Sequence, residues 1–567
     1  MQLLLGKRPG KRSWAVVGGT VATLAFSSVL AACGGASSNS NGIVTPVVTS
    51  ILVLPTNASV PVGSTIQFSA TADYNDGSSK NVTSSATWTA TNNSGEASIE
   101  STGQANPGLA TGVSPGDVNV TVSFSGVNAV TILNVTGSGT LTSFSLSQVD
   151  PHIAPSTKLQ MFGYAEYSGG SATWVTSSTH WTSSNPSVAT VQDKGGASPG
   201  LVTAVASSGT TTITGTFNGL QQSTTVTIAA NAKPIDVMDM KSTDSYLGYQ
   251  GGLYENSSDT VPSVHDTSGL AAAAAIHPLD QNGNQSVNGA VVFLGIGMSN
   301  ATEEFSAFAS TAAGDGGVNH TTLAIEDGAS GAATACYWTV AQGQTTVCPN
   351  AKGPLLDNQY DRVRDTVLAT ATGAPSAPAG CGTTSNPCLT EKQVQVLWIK
   401  NANPRPGPAG TPSLCGCAGD SASEAILYES QMGQMIRAAK SRYPNLKQVF
   451  LATRIYAGYA TDGLNPEPYA YEYGYSAKWL IEAQVQQERG NAADPVAGDM
   501  SLTTAAWTAW GTYIWADGAT PRSDGLDWVQ NDFQSDGTHP GPSGTTKVVD
   551  QLMGFFKGST YTPWFRP

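Results

Sequence analysis

Near the end of the chain an aspartate and a histidine stand three residues apart, in Asp536-Gly537-Thr538-His539-Pro540. On a tight turn that spacing lets the carboxylate accept the imidazole Nδ1–H, which leaves the other ring nitrogen facing outward as a general base. The chain has six histidines, and His539 alone has such a setting. A base of this kind needs a nucleophile, and Gly297-Met298-Ser299-Asn300 offers one where an apolar run gives way to a helical pattern. A serine there is projected by the strand end and meets the free N–H groups and positive dipole end of the helix. Asp327-Gly328-Ala329-Ser330-Gly331 allows close backbone approach, so a loop N–H can face a developing oxyanion. Lys400-Asn401-Ala402-Asn403 supplies two side-chain amides able to donate to the same oxyanion. A helix cap and two ordinary turns would explain the last three features singly. Their combination and order point to nucleophilic acyl transfer.

These residues need a scaffold that brings them together. From about Lys233 short apolar runs alternate with helix-period segments. Strands are expected at 289–295, 322–326, 394–399 and 448–453. Helices are expected at 300–313, 424–443 and 545–556, the first with Asn300 and Glu303 spaced as a capping box. Strands separated by helices imply a mostly parallel sheet covered on both faces. Ligands then bind beyond the carboxyl ends of the strands, where all four features fall.

Taken together, the four blocks resemble those of the SGNH (GDSL-like) hydrolases, over most of residues 233–567. That resemblance implies a three-layer, flavodoxin-like α/β domain. It implies Ser299 as nucleophile, His539 as base and Asp536 as the residue orienting it. The oxyanion donors would be the N–H groups of Ser299 and Gly331 and the amide of Asn403, with Asn401 as the alternative asparagine. The first block reads Gly-Met-Ser where the family usually has Gly-Asp-Ser, and the third reads Lys-Asn-Ala-Asn in place of Gly-x-Asn-Asp. The substrate therefore does not carry over. Asn300, Asn401 and Arg454, the last just after the fourth expected strand, are candidate substrate-binding residues, Arg454 at the crevice rim. Aromatic residues crowd 454–528; they suit a core, and where exposed they can stack on sugar rings. No cofactor and no metal is expected.

The first half reads differently. Val82-Thr-Ser-Ser-Ala-Thr-Trp88 recurs as Val175-Thr-Ser-Ser-Thr-His-Trp181, a period of about 93 residues. Gln67 and Gln160 keep the same spacing ahead of their tryptophans, and Pro107-Gly-Leu returns as Pro199-Gly-Leu. Short alternating strands with Gly, Asn and Ser turns signal β-sandwiches. The run from Trp181 through Asn185-Pro-Ser-Val-Ala-Thr-Val191 resembles bacterial Ig-like domains of the group 2 type, which implies a stalk or adhesive module. The expected divisions are Ig-like domains at 45–137 and 138–231 and the hydrolase-like domain at 232–567.

Residues 1–32 read as a signal peptide, with Lys7, Arg8, Lys11 and Arg12 before an interrupted apolar run. Leu30-Ala31-Ala32-Cys33 resembles a lipobox, which implies a diacylated Cys33, a flexible tether over 33–44 and export to a membrane-anchored surface or periplasmic location. Six further cysteines, Cys336, Cys348, Cys381, Cys388, Cys415 and Cys417, suit disulfides in an oxidising compartment. Sequence-local pairing is the simplest of several connectivities. The net charge of −14 and the lack of a basic patch exclude nucleic acid as a partner. The expected partner is an ester or acylated carbohydrate. The alternative is a catalytically inactive surface binding or adhesion protein that kept the fold.

Overall fold

The structure, a computed structural model, describes residues 46–567 apart from 56–57, 77, 92–95, 137–138, 169–171, 344–357 and 405–410. The expected signal peptide, tether and lipidated Cys33 lie outside the described residues, as does Cys348.

Two β-sandwiches come first, with strands from Val48–Leu54 to Val127–Thr136 and from Leu141–Ser147 to Leu220–Ile228. Each has a four-stranded sheet of matching order and smaller three-stranded sheets beside it. Strand burial alternates, as in Gly209–Phe217 with Thr211, Ile213, Gly215 and Phe217 inward. The repeated residues do the same work in both copies. The indole N–H of Trp88 donates to the Thr83 carbonyl at 2.9 Å, and that of Trp181 to the Thr176 carbonyl at 3.1 Å. Gln67 bonds the carbonyls of Phe68 and Pro107, and Gln160 those of Met161 and Pro199. The sequence repeat is thus a record of two matching hydrogen-bonding clamps.

The C-terminal region is built on five parallel strands: β1 (Val291–Gly297), β2 (Leu323–Asp327), β3 (Val394–Lys400), β4 (Gln448–Ala452) and β5 (Trp507–Thr512). Their order is β2-β1-β3-β4-β5, a doubly wound arrangement whose order reverses between β1 and β3. The main helices are α1 (Ser263–Ala274), α2 (Ser299–Gly314), α3 (Glu424–Arg442), α4 (Tyr469–Glu488) and α5 (Pro542–Gly558). Alternate residues of β1 feed two cores. Val291 and Phe293 pack with Phe305 and Phe308 of α2 and Leu552 and Phe556 of α5. Val292, Leu294 and Ile296 face the core built with Met432 and Ile436 of α3 and Leu480 and Ile481 of α4. Every residue of β1 is buried, which explains why it reads as one unbroken apolar run.

Sequence patterning located β1 to β4, α2, α3 and α5 within a few residues. It missed α1, α4 and β5. Helix α4 is buried nearly all round, so it lacks the apolar-polar period that betrays a surface helix. Its tyrosines point into the core. Of the aromatic residues in 454–528, only Tyr456, Tyr459 and Trp479 are half-buried; the rest are buried.

Disulfides join Cys381 to Cys388 and Cys415 to Cys417, and Cys336 is also disulfide-bonded. Asp420 lies within 4.8 Å of Cys415 and Cys417, but both sulfurs are committed to their disulfide and offer no thiolate to a metal. Among the described residues no helix is long and apolar enough to cross a membrane.

Candidate active site

Ser299 follows β1 and Asn401 follows β3, so both sit at the reversal point of the sheet, where doubly wound folds bind ligands. Gly297 pairs with Lys400 across the two strands. A Cβ on Gly297 would stand 2.0 Å from the Lys400 carbonyl oxygen, so only glycine lets β1 close on β3 before the chain turns into α2. Ser299 is the first residue of that helix.

The Asp536–His539 turn is held from inside. One Asp536 oxygen accepts the backbone N–H groups of Thr538 and His539, both at 3.0 Å. The other meets His539 Nδ1 at 2.5 Å. Gly537 has φ +64°, and a Cβ there would sit 1.8 Å from the Tyr459 carbonyl oxygen, which fixes glycine inside the motif. Across the gap, Ser299 Oγ lies 2.7 Å from His539 Nε2. An ionised Asp536 can only accept, so Nδ1 carries the ring proton and Nε2 accepts from the serine hydroxyl.

Electrostatics favour that assignment. Burial acts to raise the Asp536 pKa, but the hydrogen bonds from His539 and Thr538 outweigh it and hold the carboxyl below its ordinary value. Burial pushes His539 down, while the bond to Asp536 and the charges of Asp536 and Glu303 lift it above 6.5. The base form is therefore reached only above a raised pKa. We expect kcat/KM for p-nitrophenyl acetate to fall as pH drops through a value above 6.5. In Asp536→Asn the acid limb should move to lower pH, and a pH–rate profile of both proteins measures the difference.

The structure redistributes the other expected site residues. Asn403 is not free to donate to an oxyanion: its Nδ2 donates to Glu424 Oε1 at 2.8 Å and to Gln431 Oε1 at 2.6 Å, which uses both amide hydrogens. Asn401 is buried; its Nδ2 donates once, to the Ala333 carbonyl at 3.2 Å, and keeps a second hydrogen. Gly331 is exposed, and its neighbour Ser330 donates to the Gly297 carbonyl at 3.1 Å, which ties this loop to the start of the site. Asn300 does not cap α2 and is closed off from solvent. It is 1% exposed and donates to the Thr538 carbonyl at 2.9 Å, bracing the histidine turn against the serine helix. Arg454 is not at the rim: it is buried, held through Nε to Asn465 Oδ1 at 3.2 Å.

One feature was not visible in sequence. Glu304 of α2 and Lys400 of β3 form a fully buried ion pair directly behind Gly297. Burial draws Lys400 down to about 8 despite the Glu304 charge, and raises Glu304 despite Lys400. Only the helical spacing of Glu304, three residues after Ala301 and four before Phe308, could have hinted that it faces inward.

Two matches to the bacterial Ig-like domain (group 2) model, at residues 47–133 and 140–228, coincide with the two sandwiches. The chain therefore carries two such domains ahead of a mixed domain with a parallel sheet. Ice-binding protein 1 of Shewanella frigidimarina is 39% identical over 155 residues, covering 26% of this chain and 17% of that protein. The chain thus spans about a sixth of that curated relative. Among solved structures, domains 5–6 of the S-layer protein SbsC align over 33% of this chain and all of that one, with 20% identity and a TM-score of 0.15. The adhesin InvE of Yersinia pseudotuberculosis aligns over 33% of this chain and 60% of that one, with 14% identity and a TM-score of 0.14.

Proposed function

We propose that residues 232–567 form a serine esterase of the SGNH hydrolase type, presented outside the cell on two Ig-like domains and anchored through lipid on Cys33. The observation that carries the reading is the continuous relay Ser299–His539–Asp536, with links of 2.7 and 2.5 Å at the sheet's reversal point. The Ser299 hydroxyl attacks an ester carbonyl while His539 Nε2 takes its proton. His539 then protonates the departing alcohol, activates water against the acyl-serine and returns the serine hydroxyl. The oxyanion is held by the N–H groups of Ser299 and Gly331 and by the remaining amide hydrogen of Asn401, which takes the place of Asn403. The substrate class is an acylated carbohydrate.

A second reading, a non-catalytic surface binding or adhesion protein, is favoured by the tandem Ig-like domains together with the likeness to an ice-binding protein. A fluorophosphonate probe separates the two. It should label the full chain at Ser299 and leave Ser299→Ala unlabelled, with the modified peptide read by mass spectrometry. Wild-type protein that stays unlabelled, together with equal hydrolysis of p-nitrophenyl acetate by both proteins, would leave only the binding reading.

A further inference from the structure

The second Ig-like domain is seated on the α/β domain. Gln148 Nε2 donates to the Glu467 carbonyl at 2.5 Å, and the Val149 N–H donates to the Tyr469 hydroxyl at 3.3 Å. The indole of Trp174 lies so close to Gly463 that a Cβ there would meet it at 2.2 Å. The first Ig-like domain joins this body through Ser177, whose hydroxyl donates to Asp117 Oδ2 at 2.9 Å. A spacer that only extends a catalytic domain has no need of such contacts.

At this junction lies a cleft of about 610 Å³, lined by residues of all three domains. That volume is in the range of sites that hold small ligands, and such sites favour domain boundaries. One wall is Tyr456 to Thr461 with Ser535; facing it are Lys158, Ser177 and Ser198 of the second Ig-like domain and Asn119 of the first. Tyr456 and Tyr459 pack edge to face at 5.2 Å and are two of the three half-buried members of the aromatic cluster. Lys158, Asn119, Thr461 and Ser535 are exposed. Burial raises Asp117 against the bonds from Asn134 and Ser177, and burial raises Glu467 to about 7. Half-buried tyrosine rings ringed by hydroxyl, amide and a single ammonium group suit a chain of sugar rings, whose C–H faces stack and whose hydroxyls bond outward. They do not suit an anionic polymer or a lipid.

The cleft borders the turn that carries Asp536, although no triad residue lines it. The N–H of Thr461 donates to the Asp536 carbonyl at 2.9 Å, and Ser535 immediately precedes Asp536.

We propose that this three-domain cleft binds a neutral oligosaccharide segment, so that the Ig-like domains are part of the substrate-recognition surface. From the hydrolase reading it takes only the idea that the bound segment belongs to the acylated substrate. The test uses the full chain carrying Ser299→Ala, titrated calorimetrically with cellohexaose, xylohexaose, chitohexaose and maltohexaose. At least one should bind. Ser198→Trp, which fills the cleft from the Ig-like side, should weaken it at least tenfold, and Lys158→Ala should weaken it measurably. Absence of binding to all four overturns the proposal, as does binding that both variants leave unchanged. A chain that binds a hexasaccharide but resists the fluorophosphonate probe retains the cleft and loses the esterase; a labelled chain that binds none loses only the cleft.

Discussion

Ser299→Ala should lower turnover of p-nitrophenyl acetate by a factor on the order of 10⁶, the scale seen when a triad nucleophile is removed. Nothing in the fold should change with it. Ser299 is half-buried, and its hydroxyl bonds His539. Circular dichroism and the thermal transition should therefore match wild type. Asp536→Asn should cost less, about 10⁴-fold in kcat, because an amide in place of the carboxylate favours the wrong tautomer of His539. The amide oxygen can still accept the N–H groups of Thr538 and His539 that close the turn, so the motif should keep its shape. The two losses should not multiply in the double variant, since both residues serve one proton transfer. If Asp536→Asn hydrolysed the ester at the wild-type rate across pH 5 to 9, the relay would be a structural hydrogen-bond chain and no catalytic device.

How far the sequence could be read follows from how local each signal is. The Asp536–His539 turn was legible because its geometry is settled within four residues, with Gly537 forced by the Tyr459 carbonyl behind it. The Ig-like pair was legible because one half-buried pattern occurs twice and the repeated Trp and Gln side chains clamp the same backbone positions. The choice between Asn401 and Asn403 was not legible. Both stand in one turn, and what separates them is that Glu424 and Gln431 of a later helix take up the Asn403 amide. Arg454 reads as a rim residue because an arginine at a strand end normally reaches solvent; here the 454–467 segment folds back and Asn465 takes its Nε. Aromatic density hid α4 and β5 for a related reason. A residue type that is apolar in bulk and polar at its tip gives no period when every side of the element is covered.

The second large effect concerns the charge pair behind the nucleophile. Lys400→Met should destabilise the α/β domain by about 3–5 kcal/mol, because it leaves Glu304 buried without its partner. The side chains of Lys400 and Glu304 are 1% and 0% exposed, so solvent cannot take over the lost bond. In calorimetry the transition of this domain should fall by on the order of 10 °C. The double variant Glu304→Leu/Lys400→Met should regain most of the loss, since two apolar side chains fill the space without an unpaired charge. The pH dependence gives a further check. Burial already raises Glu304 above its ordinary value, and without Lys400 it must rise further. A folded pKa above the unfolded one means that the folded state binds more protons, so stability falls as pH increases. Lys400→Met should therefore be closer to wild type at pH 5 than at pH 8. The pair also matters for the site. It fastens α2 to β3 one turn beyond Ser299, so the single variant should lose ester turnover even at temperatures where it remains folded. Equal destabilisation by the single and double variants would show that packing of the lysine stem, and no uncompensated carboxylate, accounts for the loss.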